Sequence, residues 1–101
     1  MSKYKFYLNK ITRNHPSLEV SSDGKRWKNM AMTSHPTKKG RYISLKKNPD
    51  EKKNTKAYIQ KYVRDDPIRS RGDLLKKYNL SEEDLQEIET FLAQHNKNKK
   101  S

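Results

Sequence analysis

Hydrophobic and polar positions alternate with a period of two from Lys3 to Leu8, where Tyr4, Phe6 and Leu8 share one side and Lys3, Lys5 and Tyr7 the other. This is the pattern of a half-buried strand. Asn9 to Pro16 is polar and contains a His-Pro step, which holds His15 extended and reads as a loop. Leu18 and Val20 resume the alternation, and Asp23-Gly24 separates them from the run Arg26 to Met32. Asp-Gly tolerates the positive φ values of a type I′ turn, so a hairpin is expected there. Across it Val20 and Trp27 are expected on one face, with Met30 and Met32 on the other; a bulge or two buried faces would account for that.

Arg41 to Leu45 is the next strand-like run, set off from Met32 by the polar tip Thr33 to Gly40. Asn48-Pro49-Asp50 and the charged residues to Asn54 read as a mobile connection. Ala57 to Arg64 fits a strand through Ala57, Ile59 and Val63, and a helix through Tyr58, Ile59, Tyr62 and Val63; the strand is preferred. Asp65-Asp66-Pro67 is expected to end it. Ser70-Arg71-Gly72-Asp73 resembles a capping box ahead of a short helix, Leu74 to Tyr78, with Asn79 as its left-handed stop. Ser81 caps a second helix from Glu82 to about Gln94, with Glu82, Glu83 and Asp84 in its positive first turn and Leu85, Ile88, Phe91 and Leu92 as its apolar stripe. The fold class predicted is α+β: a small antiparallel sheet, open or curled, of four or five strands over about 3–65, braced by a C-terminal helical pair over about 70–94. Residues 97–101 form a disordered basic tail.

With 101 residues and 30% hydrophobic content the chain accommodates one domain with a small core. The absence of Cys removes disulfides, thiolate nucleophiles and the usual structural zinc sites, and suits a reducing compartment. No apolar run is long enough to span a bilayer, and MSKYKFYLNK lacks the apolar core of a signal peptide, so a cytoplasmic protein without membrane contact is expected.

The net charge of +12 is unevenly placed. Residues 1–72 hold nineteen Lys and Arg against six Asp and Glu, residues 73–96 hold two against six, and residues 97–101 add three Lys. The basic part is the strand-rich part, and such a field attracts polyanions, of which nucleic acid is the commonest in cells. The last helix carries five acids and no Lys or Arg before the tail, which argues against its entering a DNA groove.

The stretch Lys25 to Leu45 concentrates candidate chemistry, with the only Trp and seven basic side chains counting His35. Cations beside aromatics, as in Arg41-Tyr42 and Lys61-Tyr62, allow a surface to stack bases while it neutralises phosphates. Tyr7, Tyr42, Tyr58 and Tyr62 are the aromatics available for this if Phe6 and Trp27 are core. The nucleic-acid-binding set is therefore Lys25, Arg26, Lys28, Lys38, Lys39, Arg41, Tyr42, Lys46, Lys61 and Arg64.

Metal and nucleotide chemistry find little support. His15, His35 and His95 are scattered in sequence, Asp65-Asp66 sits at a Pro turn, and Gly24, Gly40 and Gly72 stand too far apart for a phosphate loop. No cofactor is expected. A metal-independent ribonuclease needs less: a proton-transferring His and a cation near the phosphate. His35, with Lys38, Lys39, Arg41 and Tyr42, is the one catalytic candidate, and as a polar residue in a His-Pro loop it also has a plain explanation.

The string from Trp27 through Leu45, on to Arg64-Asp65-Asp66-Pro67, with the closing Leu80-Ser81-Glu82-Glu83-Asp84-Leu85, resembles small uncharacterised basic proteins of prophages and integrative elements of Gram-positive bacteria. The resemblance implies a setting, that of proteins which bind their element's nucleic acid, poison or protect the host, or block host defence nucleases. Three readings follow, in order: a nucleic-acid-binding accessory protein, with RNA or DNA as partner; a metal-independent RNase-like toxin; and an anti-CRISPR-like inhibitor that engages a host nucleoprotein.

Overall fold

The computed structural model describes residues 4–99. β1 (Phe6–Asn9), β2 (His15–Ser22) and β3 (Arg26–Thr33) form an antiparallel meander. β4 (Tyr42–Ser44) pairs with β5 (Tyr58–Gln60), and β5 lies along the C-terminal end of β3. β6 (Arg64–Pro67) lies along the N-terminal end of β3, on the same edge. A 3-10 turn, Ile68–Ser70, leads to β7 (Arg71–Leu74), which returns to pair with β1, and α1 (Glu82–Lys99) follows. Among the described residues the sheet thus has seven strands rather than four or five, and one α-helix follows rather than a helical pair.

The missing helix has a physical reason. Ser70, read as a helix cap, is buried; its hydroxyl donates to the Pro67 carbonyl at 2.7 Å and accepts from Trp27 Nε1 at 2.9 Å. Arg71 to Leu74 are drawn straight by the open edge of β1, with Asn9 opposite Arg71 and Tyr7 opposite Leu74. Only a tight turn remains at Leu75 to Tyr78. Likewise Asp65-Asp66-Pro67 continues the sheet instead of ending it. The pairing of β3 runs from Asn29–Arg64 to Met32–Ile59, so four residues on one side face two on the other and Lys61 to Val63 bulge out. Pro67, which has no N–H to give, is tolerated because β6 is an edge strand.

The sheet must curl. In a flat sheet β6 and β7 would stand four strand spacings apart, about 19 Å at roughly 4.8 Å each. The chain from Pro67 to Arg71 reaches at most about 14 Å even when extended, and Ile68–Ser70 is a 3-10 turn. The sheet therefore rolls until β6 and β7 meet, and side chains two strands apart touch: Asn9 Nδ2 on β1 donates to Asn29 Oδ1 on β3 at 3.1 Å.

Rolling buries β3 on both faces. Met30 and Met32 lie in the apolar core with Phe6, Leu18, Ile43, Leu45, Ile59, Ile88 and Leu92. Trp27 and Asn29 point the other way, toward Asp66, whose carboxylate accepts from Asn9 Nδ2 at 3.1 Å, Asn29 Nδ2 at 3.0 Å and Arg64 Nε at 3.0 Å. Arg64 Nη2 reaches its second oxygen at 3.1 Å. Val20 packs on the apolar core rather than beside Trp27, because the β2–β3 register slips between Glu19 and Ser21. Burial pushes the Asp66 carboxyl up, but the hydrogen bonds from Arg64, Asn29 and Asn9 and the Arg64 charge outweigh it, leaving the pKa below its ordinary 3.8.

The Asp23-Gly24 hairpin forms, but not as a type I′ turn. Gly24 has φ 87°, whereas Asp23 keeps negative φ and its carboxylate accepts from the N–H groups of Lys25 and Arg26 at 2.9 and 2.8 Å. The type I′ pair sits between β1 and β2, where Arg13 (φ 58°) and Asn14 (φ 61°) are both left-handed and His15 N donates to Thr12 O. The expected mobile connection is pinned by Asn48 Nδ2 to Thr55 O at 3.0 Å and by the bridge of Asp50 to Tyr78.

α1 starts as the sequence predicts. Ser81 Oγ accepts from Asp84 N at 3.2 Å, and the fully buried Asp84 carboxylate takes the N–H groups of Lys46 (2.9 and 3.0 Å) and Lys47 (3.2 Å). Two donors from the loop after β4, in three hydrogen bonds, thus seat the helix, while Ile88 and Leu92 enter the core and Phe91 packs on its rim. The helix runs to Lys99, past the expected Gln94, and so takes in the first residues of the expected tail; residues 100 and 101 lie outside those described.

Two outcomes follow. Asp66→Asn lowers stability at neutral pH by about 3 kcal/mol in urea unfolding, the scale for removing one member of a buried charge pair. Because the folded pKa lies below the unfolded one, wild-type stability is full above about pH 4 and falls as pH drops through the folded value, so the gap to Asp66→Asn closes in acid. Arg13→Gly removes a left-handed non-glycine residue and raises stability by about 0.5–1 kcal/mol, read as a higher Tm.

Candidate nucleic-acid interface

Between Gly24 and Pro49 the chain has eight Lys and Arg and no Asp or Glu, so the β3-to-β4 connection carries cations with no acid of its own. That connection is folded around Tyr42. The Tyr42 hydroxyl is 3.3 Å from both the Thr37 N–H and the Thr37 hydroxyl, and Gly40 N donates to Thr37 Oγ1 at 3.2 Å. Those bonds, from the Thr37 hydroxyl first and its N–H second, lower the Tyr42 pKa from its usual 10.0. Gly40 lies on the ring so closely that a Cβ there would fall 2.5 Å from a ring carbon. The Tyr58 and Tyr42 rings meet in a T-shaped contact with centroids 6.3 Å apart. Lys38 and Lys39 therefore project from a braced loop.

The ten sequence-predicted residues divide into three groups. Arg26, Lys46 and Arg64 are engaged by acids: Arg26 by Asp65 at 2.8 Å, Lys46 by Glu83 at 2.7 Å and Arg64 by Asp66. Glu83 raises the Lys46 pKa, and Lys46 lowers that of Glu83. Arg64 belongs to the interior lock. Lys25 and Lys28 sit at the start of β3, Lys28 beside Asp65. Lys38, Lys39, Arg41, Tyr42 and Lys61 belong to the β3-to-β4 connection and the β4–β5 pair, where Tyr42 is opposite Gln60 and Lys61 N bonds Arg41 O. The set is not one continuous face.

Among the described residues, Lys38, Lys39, Arg41 and Lys61 make no ion pair, and the first three are exposed. Arg41 and Lys61 are joined through their backbones, Lys61 N donating to Arg41 O at 2.8 Å, and both line a groove of about 430 Å³ whose far wall on α1 includes Glu87, Phe91 and His95. Tyr62, next to Lys61 on the bulge, is 57% exposed. The other candidate aromatics are spent on structure. Tyr7 packs edge-on to Trp27 with the Arg71 guanidinium over its ring at 4.6 Å, and Tyr42 and Tyr58 brace each other.

His35 is exposed, its N–H bonded to Thr33 Oγ1 at 3.1 Å. The structure brings it to His15: both line the same two depressions beside Thr33. His95 lies apart on α1, and no cluster of three metal-ligating side chains occurs among the described residues. The sequence holds one signal of the pairing, since both His15 and His35 precede a Pro.

No helix among the described residues is long and apolar enough to cross a membrane. Comparisons with family models, curated proteins and solved structures find no match to this chain. The interface therefore rests on its own residues. Gly40→Ala drives the Tyr42 ring off the loop, because the ring is the part that must give way. The cost expected is about 1–3 kcal/mol, as for other overpacked sites, visible as a lower Tm and as faster amide exchange at Thr37 and Gly40.

Proposed function

We propose that this protein binds nucleic acid through its phosphate backbone, with Lys38, Lys39, Arg41 and Lys61 as the phosphate contacts and Tyr62 as a stacking surface. One observation carries this reading: these four cations group along the β3-to-β4 connection and the β4–β5 pair, free of ion pairs among the described residues, while Arg26, Lys46 and Arg64 are held by acids. A surface that served only solubility would not need its loop braced by Tyr42 and Gly40. Phosphates are drawn to unpaired cations because binding releases condensed counterions. A base leaving the stack can settle on the exposed Tyr62 ring. In the mobile-element setting that the sequence resemblance implies, the ligand is the element's own RNA or DNA.

Anisotropy titrations with labelled single-stranded RNA, single-stranded DNA and duplex DNA test this. Four phosphate contacts lower affinity between 50 and 200 mM salt by about 50-fold for a single strand and about 150-fold for a duplex. Replacing Lys38, Lys39 and Arg41 together by Ala flattens the log–log slope by about 2 to 3, whereas Lys46→Ala, which removes a cation already paired, leaves it nearly unchanged. Absence of binding to all three ligands overturns the reading and turns attention to a protein or nucleoprotein partner.

A further inference from the structure

Two imidazoles that the chain keeps twenty residues apart share one surface here. The β2–β3 pairing of Ser17 with Ala31 and Leu18 with Met30, continued two steps, sets His15 beside Thr33. Thr33 in turn holds the backbone of His35 through its hydroxyl. The pair lies between two depressions of about 170 and 290 Å³. Lys53, Asn48 and Thr55 line one of them, and Tyr42, Thr37 and Gln60 line the other. Both imidazoles are exposed and make no side-chain hydrogen bond among the described residues, so neither is engaged in holding the fold.

We infer that His15 and His35 form a metal-independent site that cleaves single-stranded RNA; this rests on the nucleic-acid reading above and names its substrate. One imidazole, neutral, removes the proton from a ribose 2′-hydroxyl. The 2′-oxygen attacks the adjacent phosphorus, the P–O5′ bond breaks, and the second imidazole, protonated, gives its proton to the departing O5′. The products are a 2′,3′-cyclic phosphate and a 5′-hydroxyl end; the two imidazoles exchange their protonation states, and solvent restores them. No metal or co-reactant enters the balance. Lys53, on the wall that both imidazoles share, faces the charge that builds on the phosphoryl oxygens. Gln60, in the opposite depression, offers an amide to a base edge. The cations Lys38 and Lys39, on the loop that carries His35, hold the strand across the pair. DNA lacks the nucleophile and is bound without being cut.

The test uses the purified protein in EDTA with an end-labelled, mixed-sequence single-stranded RNA and with the same sequence 2′-O-methylated throughout. Cleavage of the RNA alone is expected, leaving cyclic-phosphate ends, with a bell-shaped pH dependence of the rate. His15→Ala and His35→Ala each lower that rate by at least about 100-fold, while affinity for the methylated strand stays within about threefold and Tm is unchanged. Methylated strand bound but RNA left intact overturns the inference and spares the binding reading; failure to bind the methylated strand counts against the binding reading itself. Cleavage that survives both substitutions assigns the activity to something other than this pair and overturns it as well.

Discussion

Asp66 sits where the two ends of the rolled sheet meet, and its carboxylate is the shared acceptor for β1, β3 and β6. Taking such a group out of water is costly unless its oxygens are satisfied and a counter-charge stands close. Here Asn9, Asn29 and Arg64 supply both, with four hydrogen bonds between 3.0 and 3.1 Å. The geometry tolerates little slippage: one residue of register error in β6 would turn Asp66 outward and bring Asp65 or Pro67 in. Trp27 depends on the same closure, since its indole N–H finds Ser70 only when the 3-10 turn is drawn across the end of the roll. The fold is thus held by an apolar core under α1 on one face of β3 and by a directional polar lock on the other.

The acids of this chain explain which of its many cations are available. Asp65, Asp66, Glu83 and Glu19 each take one basic partner, Arg26, Arg64, Lys46 and Arg71 in turn. Lys38, Lys39, Arg41 and Lys61, along the β3-to-β4 connection and the β4–β5 pair, are among those left without an acid among the described residues. A small protein with a net charge of +12 carries self-repulsion that favours expansion, and binding a polyanion relieves it. On the proposed reading, the same feature that costs stability in the free protein would favour the bound state, and the braced loop would limit the ordering entropy lost on binding.

β1, the hairpin at Asp23-Gly24 and the start of α1 were legible in the sequence, because each rests on chemistry contained within a few residues: alternation, a turn dipeptide, a capping serine followed by acids. The second helix was misread for the converse reason. Ser70-Arg71-Gly72-Asp73 has the composition of a cap, and only the open edge of β1, far earlier in the chain, makes it a strand. The bulge at Lys61 to Val63 resolves the ambiguity of the 57–64 segment, whose mixed periodicity belonged to two short strands joined by an irregular step. Lys38, Lys39 and Arg41 could be read as exposed from their loop. That Arg26, Arg64 and Lys46 are occupied could not, since their partners are set by register and helix docking. His15 and His35 looked scattered for the same reason.

The pairing of β1 with β7 also orders events while the chain is being made. Asn9 must wait for Asp66, 57 residues later, and the outer edge of β1 for Arg71 to Leu74. At about 5–20 residues per second that interval lasts several seconds, during which the lock stays open and the outer edge of β1 bare. The lysines and arginines that fill residues 1–72 then work as keep-apart charges between neighbouring nascent chains. On the proposed reading, charge that meets a polyanion in the finished protein is, before that, a guard against its own unpaired strand.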